Sequence, residues 1–342
     1  TSSVKGNQRS SSLTATSRRR MLGDVDWVRL RRVTRPFLAA SVDNEGVELV
    51  KDEVVSESEE KSTSLRFSGV GRLYSEVSEE GLDVPELESS AVVQRLTAST
   101  VAVVGLGGVG SWAAEALCRS GVGNLILVDL DDICISNTNR QVMALTSTVG
   151  QMKIDEMRRR LLDINPNCNV TNIHDFVTPD NVAPLMDRLL PELDVCLDAI
   201  DGYREKAALV AACASSGVPI VTCGGAAGRQ DPSQIVCDDI TRAEECRLLF
   251  SCRKNLRKFY GFKKGPGKGE KNTHKVKPWN ILAVFSTEKQ KMAPRDENGS
   301  SSFRVCDGAF GTACFVTGTY GFVAASKIVG MIATGNFVRP SQ

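Results

Sequence analysis

No Cys-x-x-Cys pair occurs among the 11 cysteines, which excludes the usual zinc ribbon or knuckle. Net charge is nearly absent too, +1 from 42 Lys and Arg against 41 Asp and Glu, so the chain as a whole is neither a polycation nor a polyanion. Its first 60 residues lack any apolar period. They are Ser- and Arg-rich to residue 40 and acidic from Asp43 to Glu60, so they read as a disordered or targeting tail. Basic, hydroxylated and acid-poor, residues 1–40 resemble an organelle transit peptide for mitochondrion or plastid; a non-targeting tail on a cytoplasmic protein fits them equally. Thr1 is not an initiator methionine, which fits a fragment or a processed product, with Met21 as another start.

The cysteines do not form a disulfide framework, because a chain of 342 residues has core enough without staples. Cys118, Cys196 and Cys213 fall inside expected helices or strands, where cysteine behaves as a small hydrophobe. A reducing compartment follows.

What is present is a regular alternation. Val101–Val104, Leu125–Asp129, Val170–Ile173, Asp194–Asp201 and Pro219–Cys223 read as strands. Helical patterns lie between them: 91–98, a stretch after Gly110, 149–164 stopped by Asn165-Pro166, 179–190 and 204–215. Alternating strands and helices imply right-handed crossovers and an α/β, doubly wound, mostly parallel Rossmann-like sheet. Beyond Gly228 the pattern weakens to an expected edge strand at 234–238 and a helix at 244–258. A C-terminal extension follows, apolar from Gly308 to Gly330 except for Lys327. It is long enough to suggest a membrane span, but its Gly and Thr content favours a buried helix at a dimer interface over a membrane contact. The domain itself is expected over 61–335.

Val101-Ala102-Val103-Val104 runs into Gly105-Leu106-Gly107-Gly108-Val109-Gly110. A Gly-x-Gly-x-x-Gly between strand and helix is a phosphate turn. Gly105 allows the turn, Gly107 lets the backbone approach a phosphate, and Gly110 lets helix and strand pack. Asp129 ends the next strand where a ribose hydroxyl would lie. These residues indicate an adenine nucleotide without saying which, so NAD-dependent redox chemistry is open at this level. Arg253 to Lys277 carries ten Lys and Arg with one acid, Glu270, interleaved with Phe259, Tyr260 and Phe262. That composition favours RNA over a merely solvated loop, through phosphate contacts and an aromatic on a splayed base.

Several motifs together, RFSGVGRLY, VGLGGVGSWAAEAL, DDICISNTNRQ, DFVTPDN, DAIDGYREKAAL, FSTE and TGTYGFVAA, resemble the ubiquitin-activating-enzyme-like superfamily. Within it they are most similar to the tRNA threonylcarbamoyladenosine dehydratases, over about Arg66 to Ile328. That resemblance implies ATP-dependent adenylation of a carboxylate, then ring closure with net loss of water. It implies Lys153 and Arg140 on the phosphates, Asp201 on Mg²⁺, Asp129 on the ribose, Asn137 supporting the phosphate loop with Gly105, Gly107, Gly108 and Gly110, and Arg72 crossing from the partner of a homodimer. It also implies tRNA as substrate, with a sulfur-transfer partner as a further expectation. Plainer readings stand beside these: a solvated Lys153, an Arg140 that caps a helix end, an Asp201 that caps the helix at Arg204, Asp198 as the metal carboxylate instead, and Asp131 and Asp132 as loop acids. Cys223, beside Gly224-Gly225, reads as a core residue rather than a nucleophile, and Ala283 offers no thiol before FSTE. The competing function is activation of a ubiquitin-like or sulfur-carrier protein at its C-terminus.

Overall fold

The computed structural model describes residues 57–75, 88–263, 277–291 and 311–341. Seven strands form one sheet: β1 (Thr100–Val104), β2 (Asn124–Val128), β3 (Asn169–Ile173), β4 (Val195–Asp198), β5 (Ile220–Cys223), β6 (Ile235–Asp239) and β7 (Leu282–Ser286), in spatial order β3-β2-β1-β4-β5-β7-β6. All neighbours are parallel except β6, which runs antiparallel along β7. The doubly wound sheet expected from the alternation is therefore present, with an antiparallel edge.

The strands are apolar on both faces because helices cover both. Val101 and Val103 of β1 enter one core, Ala102 and Val104 the other, the period-2 alternation of a strand sandwiched between layers. The helices are α1 (Glu57–Tyr74), α2 (Ser89–Ala98), α3 (Gly110–Arg119), α4 (Lys153–Ile164), α5 (Val182–Leu189), α6 (Tyr203–Ser215), α7 (Arg247–Phe259) and α8 (Cys314–Thr334). Residues of α2, α3, α4 and α8 build the first core, and those of α5, α6 and α7 the second. Each fully buried Leu on these layers contributes about 2 kcal/mol of transfer free energy.

Several boundaries move for identifiable reasons. α1 begins at Glu57, inside the stretch read as tail, and carries Arg66–Tyr74 within it. The helix expected from 149 starts at Lys153: Gly150 is left-handed at φ 86°, and an isolated bridge joins Met152 to Asp132. The basic stretch from Arg253 opens inside α7, and residues 264–276 of it lie outside the described residues. Phe262 is not a free aromatic: it is 3% exposed and packs on Trp279 at 4.9 Å. Arg253 is likewise structural, its Nη1 donating to Ile240 O at 2.7 Å and Ala243 O at 2.8 Å. β7 was not foreseen. α8 is long and apolar enough to cross a membrane, yet most of it is buried among the helices and sheet of its own chain.

Candidate nucleotide site

In strand order β2-β1-β4 the winding reverses beside β1, which opens a crevice at the carboxyl ends of β1 and β4. The glycine loop fills the β1 side of that crevice. Gly105 turns at φ 91° against the Ala199 backbone, which continues β4. A Cβ on Gly110 would fall 1.8 Å from Gly105 O, so loop and helix can close only on glycine. A Cβ on Gly107 would meet nothing within 4 Å, so this glycine borders open space. Gly108 instead faces α8, where a Cβ would stand 3.0 Å from Thr317; its side-chain position serves packing. Among the described residues the Gly107 and Gly108 amides have no acceptor, and the α3 N-terminus has no side-chain cap. Free amides at a helix N-terminus beside open space suit an anion.

One chain of polar contacts leads from this loop to Lys153. Leu106 N–H donates to Asp129 Oδ2 at 2.6 Å, and Asp131 N–H donates to Asp129 Oδ1 at 2.9 Å. Asp131 in turn accepts from Lys153 Nζ at 2.6 Å, and its carbonyl takes Lys153 N–H at 3.0 Å. Lys153 is 6% exposed and is the first residue of α4. It is not the solvated helix lysine of the plainer reading, and Asp131 is its fixed partner rather than an idle loop acid.

Arg140 sits half-buried after the 3₁₀ turn Ile135–Asn137, with Nη1 donating to Ser136 O at 2.7 Å and Asn139 Oδ1 at 3.0 Å. Its carbonyl accepts from Trp112 Nε1 of α3 at 2.9 Å, which ties the turn to the phosphate helix. The Asn137 side-chain oxygen accepts from Cys134 N–H at 3.1 Å. It braces the turn that carries Arg140. Asp201 lies exposed just past β4. The N-cap of α6 is Gly202, without a side-chain cap, so the capping role foreseen for Asp201 is absent.

Asp198 is not the alternative metal carboxylate. It is fully buried, pairs with Lys206 Nζ at 2.9 Å and accepts from Thr222 Oγ1 at 2.6 Å. Its other oxygen takes Ile200 N–H at 3.1 Å, which fixes the backbone leading to Asp201. Sequence reasoning missed Lys206 and Thr222, since a lysine with no apolar stripe of its own gives no sign of burial. Cys223 is 2% exposed, and burial pushes its thiol up to about 12, so it holds no thiolate near neutrality. Arg72, on α1, is exposed. Contacts of α1 lie at the opposite rim: Arg66 Nη1 donates to Ile164 O, Phe67 abuts Gly121, and Tyr74 lies beside Gly330 near the far end of α8. The structure does not bring Arg72 to the glycine loop of its own chain.

Fold and rim together define a doubly wound nucleotide-binding protein whose phosphate loop is wired to a buried lysine. The chain belongs to the ThiF family, whose description matches residues 76–336. It is 38% identical over 265 residues to a tRNA threonylcarbamoyladenosine dehydratase of Haemophilus influenzae, covering 77% of this chain and 92% of that protein. It is 40% identical over 270 residues to the protein of the same name from Escherichia coli, covering 76% and 91%. The E. coli enzyme TcdA, solved in complex with ATP, superposes with a TM-score of 0.65 at 37% identity, covering 82% of this chain and 98% of that one. A complex of the same enzyme with AMP gives 0.66.

Proposed function

We infer that this chain catalyses the ATP-dependent dehydration of threonylcarbamoyladenosine in the tRNA anticodon loop. The observation that carries the reading is the Leu106–Asp129–Asp131–Lys153 chain, which ties a buried, oriented ammonium to the glycine loop. Relatives matched over nine tenths of their length support the substrate.

ATP is consumed in this reaction and is therefore a substrate. The loop fits its phosphates: open space borders Gly107, two amides are free, and each Asp129 oxygen keeps a lone pair for a ribose hydroxyl. The threonyl carboxylate attacks the α-phosphate and pyrophosphate leaves. A nucleophile within the threonylcarbamoyl group then attacks the activated carbonyl, closes a ring and releases AMP; the sum is loss of one water. Little covalent work falls to the protein, so positioning and charge neutralisation dominate. Lys153 and, after a rotamer change, Arg140 neutralise the phosphates. Asp201 would hold Mg²⁺. Asp201, exposed just past β4, fits that ion because Mg²⁺ takes one or two carboxylates together with phosphate oxygens. When bound, the ion would screen charge on the leaving pyrophosphate.

On this reading the tRNA lies along exposed Lys254, Lys258, Phe259 and Lys263, and the rest of the basic stretch adds phosphate contacts. The protein works as a homodimer with Arg72 acting on the partner's site. The test is product mass: threonylcarbamoyladenosine-containing tRNA incubated with protein, ATP and Mg²⁺ should lose one water per modified base. Lys153→Ala should slow this by about 100-fold or more. A wild-type protein that binds ATP but leaves the mass unchanged would overturn the reading in favour of a protein substrate.

A further inference from the structure

Gly224–Gly228, the turn beyond β5, carries no side chain larger than a methyl, and Arg229 follows it. Arg229 is 3% exposed. Its Nη2 donates to Glu245 O, while Nε and Nη1 are buried and have no acceptor among the described residues. A buried guanidinium ordinarily meets a carboxylate, because an unpaired buried charge is strongly unfavourable. The nearby Glu288 carboxylate is already engaged, accepting from Gln230 N–H at 2.9 Å and Asp231 N–H at 3.0 Å.

The surroundings are built rather than incidental. Tyr320 is wholly buried and its hydroxyl donates to Gly225 O at 3.3 Å. Burial pushes that phenol up, and the nearby Arg229 charge partly counters it. Gly225 N–H rests on Cys246 Sγ at 3.4 Å. Glu245, whose carbonyl Arg229 holds, adopts φ 50°, a left-handed conformation rare outside glycine. These groups gather at the carboxyl end of β5, on the rim that carries the glycine loop and Asp201. Gly225 and Ala227 are partly exposed, so the turn that leads into Arg229 reaches the surface.

We propose that Arg229 is an oxyanion seat for the tRNA substrate, its unspent N–H groups receiving the threonyl carboxylate or a backbone phosphate beside it. This rests on the dehydratase reading. Arg229→Lys keeps the charge and a donor for Glu245 O but loses the planar fork that fixes Nε and Nη1 in place; Arg229→Met removes the charge at similar length. Both variants and the wild type are titrated with tRNA bearing threonylcarbamoyladenosine, with the same tRNA lacking it, and with ATP, and their melting temperatures are measured. ATP affinity should hold in Arg229→Lys, and its melting temperature should stay close to wild type. With a carboxylate ligand, the preference for modified tRNA falls about tenfold or more in both variants. With a phosphate ligand, both tRNAs weaken together and the salt slope drops by about one in Arg229→Met but holds in Arg229→Lys. Unchanged tRNA binding in both variants overturns the proposal. So does an Arg229→Met that unfolds while Arg229→Lys restores both stability and full tRNA binding, since the arginine is then only a strut. A wild type that produces no water loss fails the dehydratase reading itself; turnover in wild type with an unaffected Arg229→Lys fails only this inference.

Discussion

Gly107 and Gly110 stand three residues apart in one loop, yet the structure assigns them opposite dependencies. A methyl on Gly110 would collide with Gly105 O at 1.8 Å, whereas one on Gly107 meets no protein atom within 4 Å. Gly110→Ala should therefore damage the fold and the site together. Gly107→Ala should leave the melting temperature within about 3 °C of wild type while ATP affinity falls about tenfold, because the methyl enters the space a phosphate needs. Thermal melts and calorimetric titration with ATP separate the two effects. A Gly107→Ala protein that binds ATP normally would show that this space is not the nucleotide's. The same contrast explains what a fingerprint reveals. Three glycines at the right spacing were legible as a phosphate turn, with Gly107 toward the phosphate and Gly110 toward the packing of helix on strand, but the place of Gly108 was not. Gly108 proved to face Thr317 of α8, 209 residues on, a contact no local pattern encodes.

Between elements, the pairing of α3 with α4 depends on a buried acid. Glu115 is 6% exposed and accepts from Arg160 Nε at 2.5 Å and Arg119 Nε at 2.8 Å. Burial acts to raise its carboxyl, but the two arginines outweigh it and hold the carboxyl below its ordinary value. A depressed carboxylate stabilises the fold fully above its unfolded pKa, and that contribution is lost as pH falls through the lower folded value. Glu115→Gln should thus melt roughly 5 °C lower at pH 7, and the gap to wild type should close as pH falls through and below the ordinary carboxylate range. Melting curves across that range decide it; a gap independent of pH would mean the charge is irrelevant. Strands β1 to β5 were readable although β1, β4 and β5 are buried throughout, because helical patterns separate them at the spacing of right-handed crossovers. β7 was not, although Leu282-Ala283-Val284-Phe285 is a continuous apolar run bounded by Asn280 and Ser286. A short apolar run gives no period, and its neighbours in space, β5 and β6, lie far from it in sequence. The start of α4 was misjudged because amphipathic spacing continues through Val149, while Gly150 and the Asp132–Met152 bridge set the true first turn.

In the whole molecule, the distance between Arg72 and the phosphate loop has a consequence for assembly. Tyr74 lies beside Gly330, and Thr317 touches Gly108. Those two points on α8 are about 20 Å apart at 1.5 Å per residue, farther than an arginine side chain reaches. Arg72 therefore does not reach the phosphate loop of its own chain, and the dimer proposed above is where it would meet a nucleotide. The outward stripe of α8 leaves Phe315 57% and Phe322 51% exposed, a face open to the partner in the proposed dimer, and Phe322 already meets Trp112 of the phosphate helix edge-on at 5.9 Å. Trp112 holds the Arg140 carbonyl, so a partner docked there would lean on the site itself. Two individually inactive variants should then complement. In a mixed dimer of Arg72→Ala with Lys153→Ala, one site combines a native Lys153 with the partner's native Arg72, and the other lacks both. Random mixing makes half the dimers mixed, so about a quarter of the wild-type sites should return. Product mass measured before and after subunit exchange reads this directly. If activity stays at the level of the separate variants although exchange is complete, Arg72 has no role across a dimer and the trans reading falls.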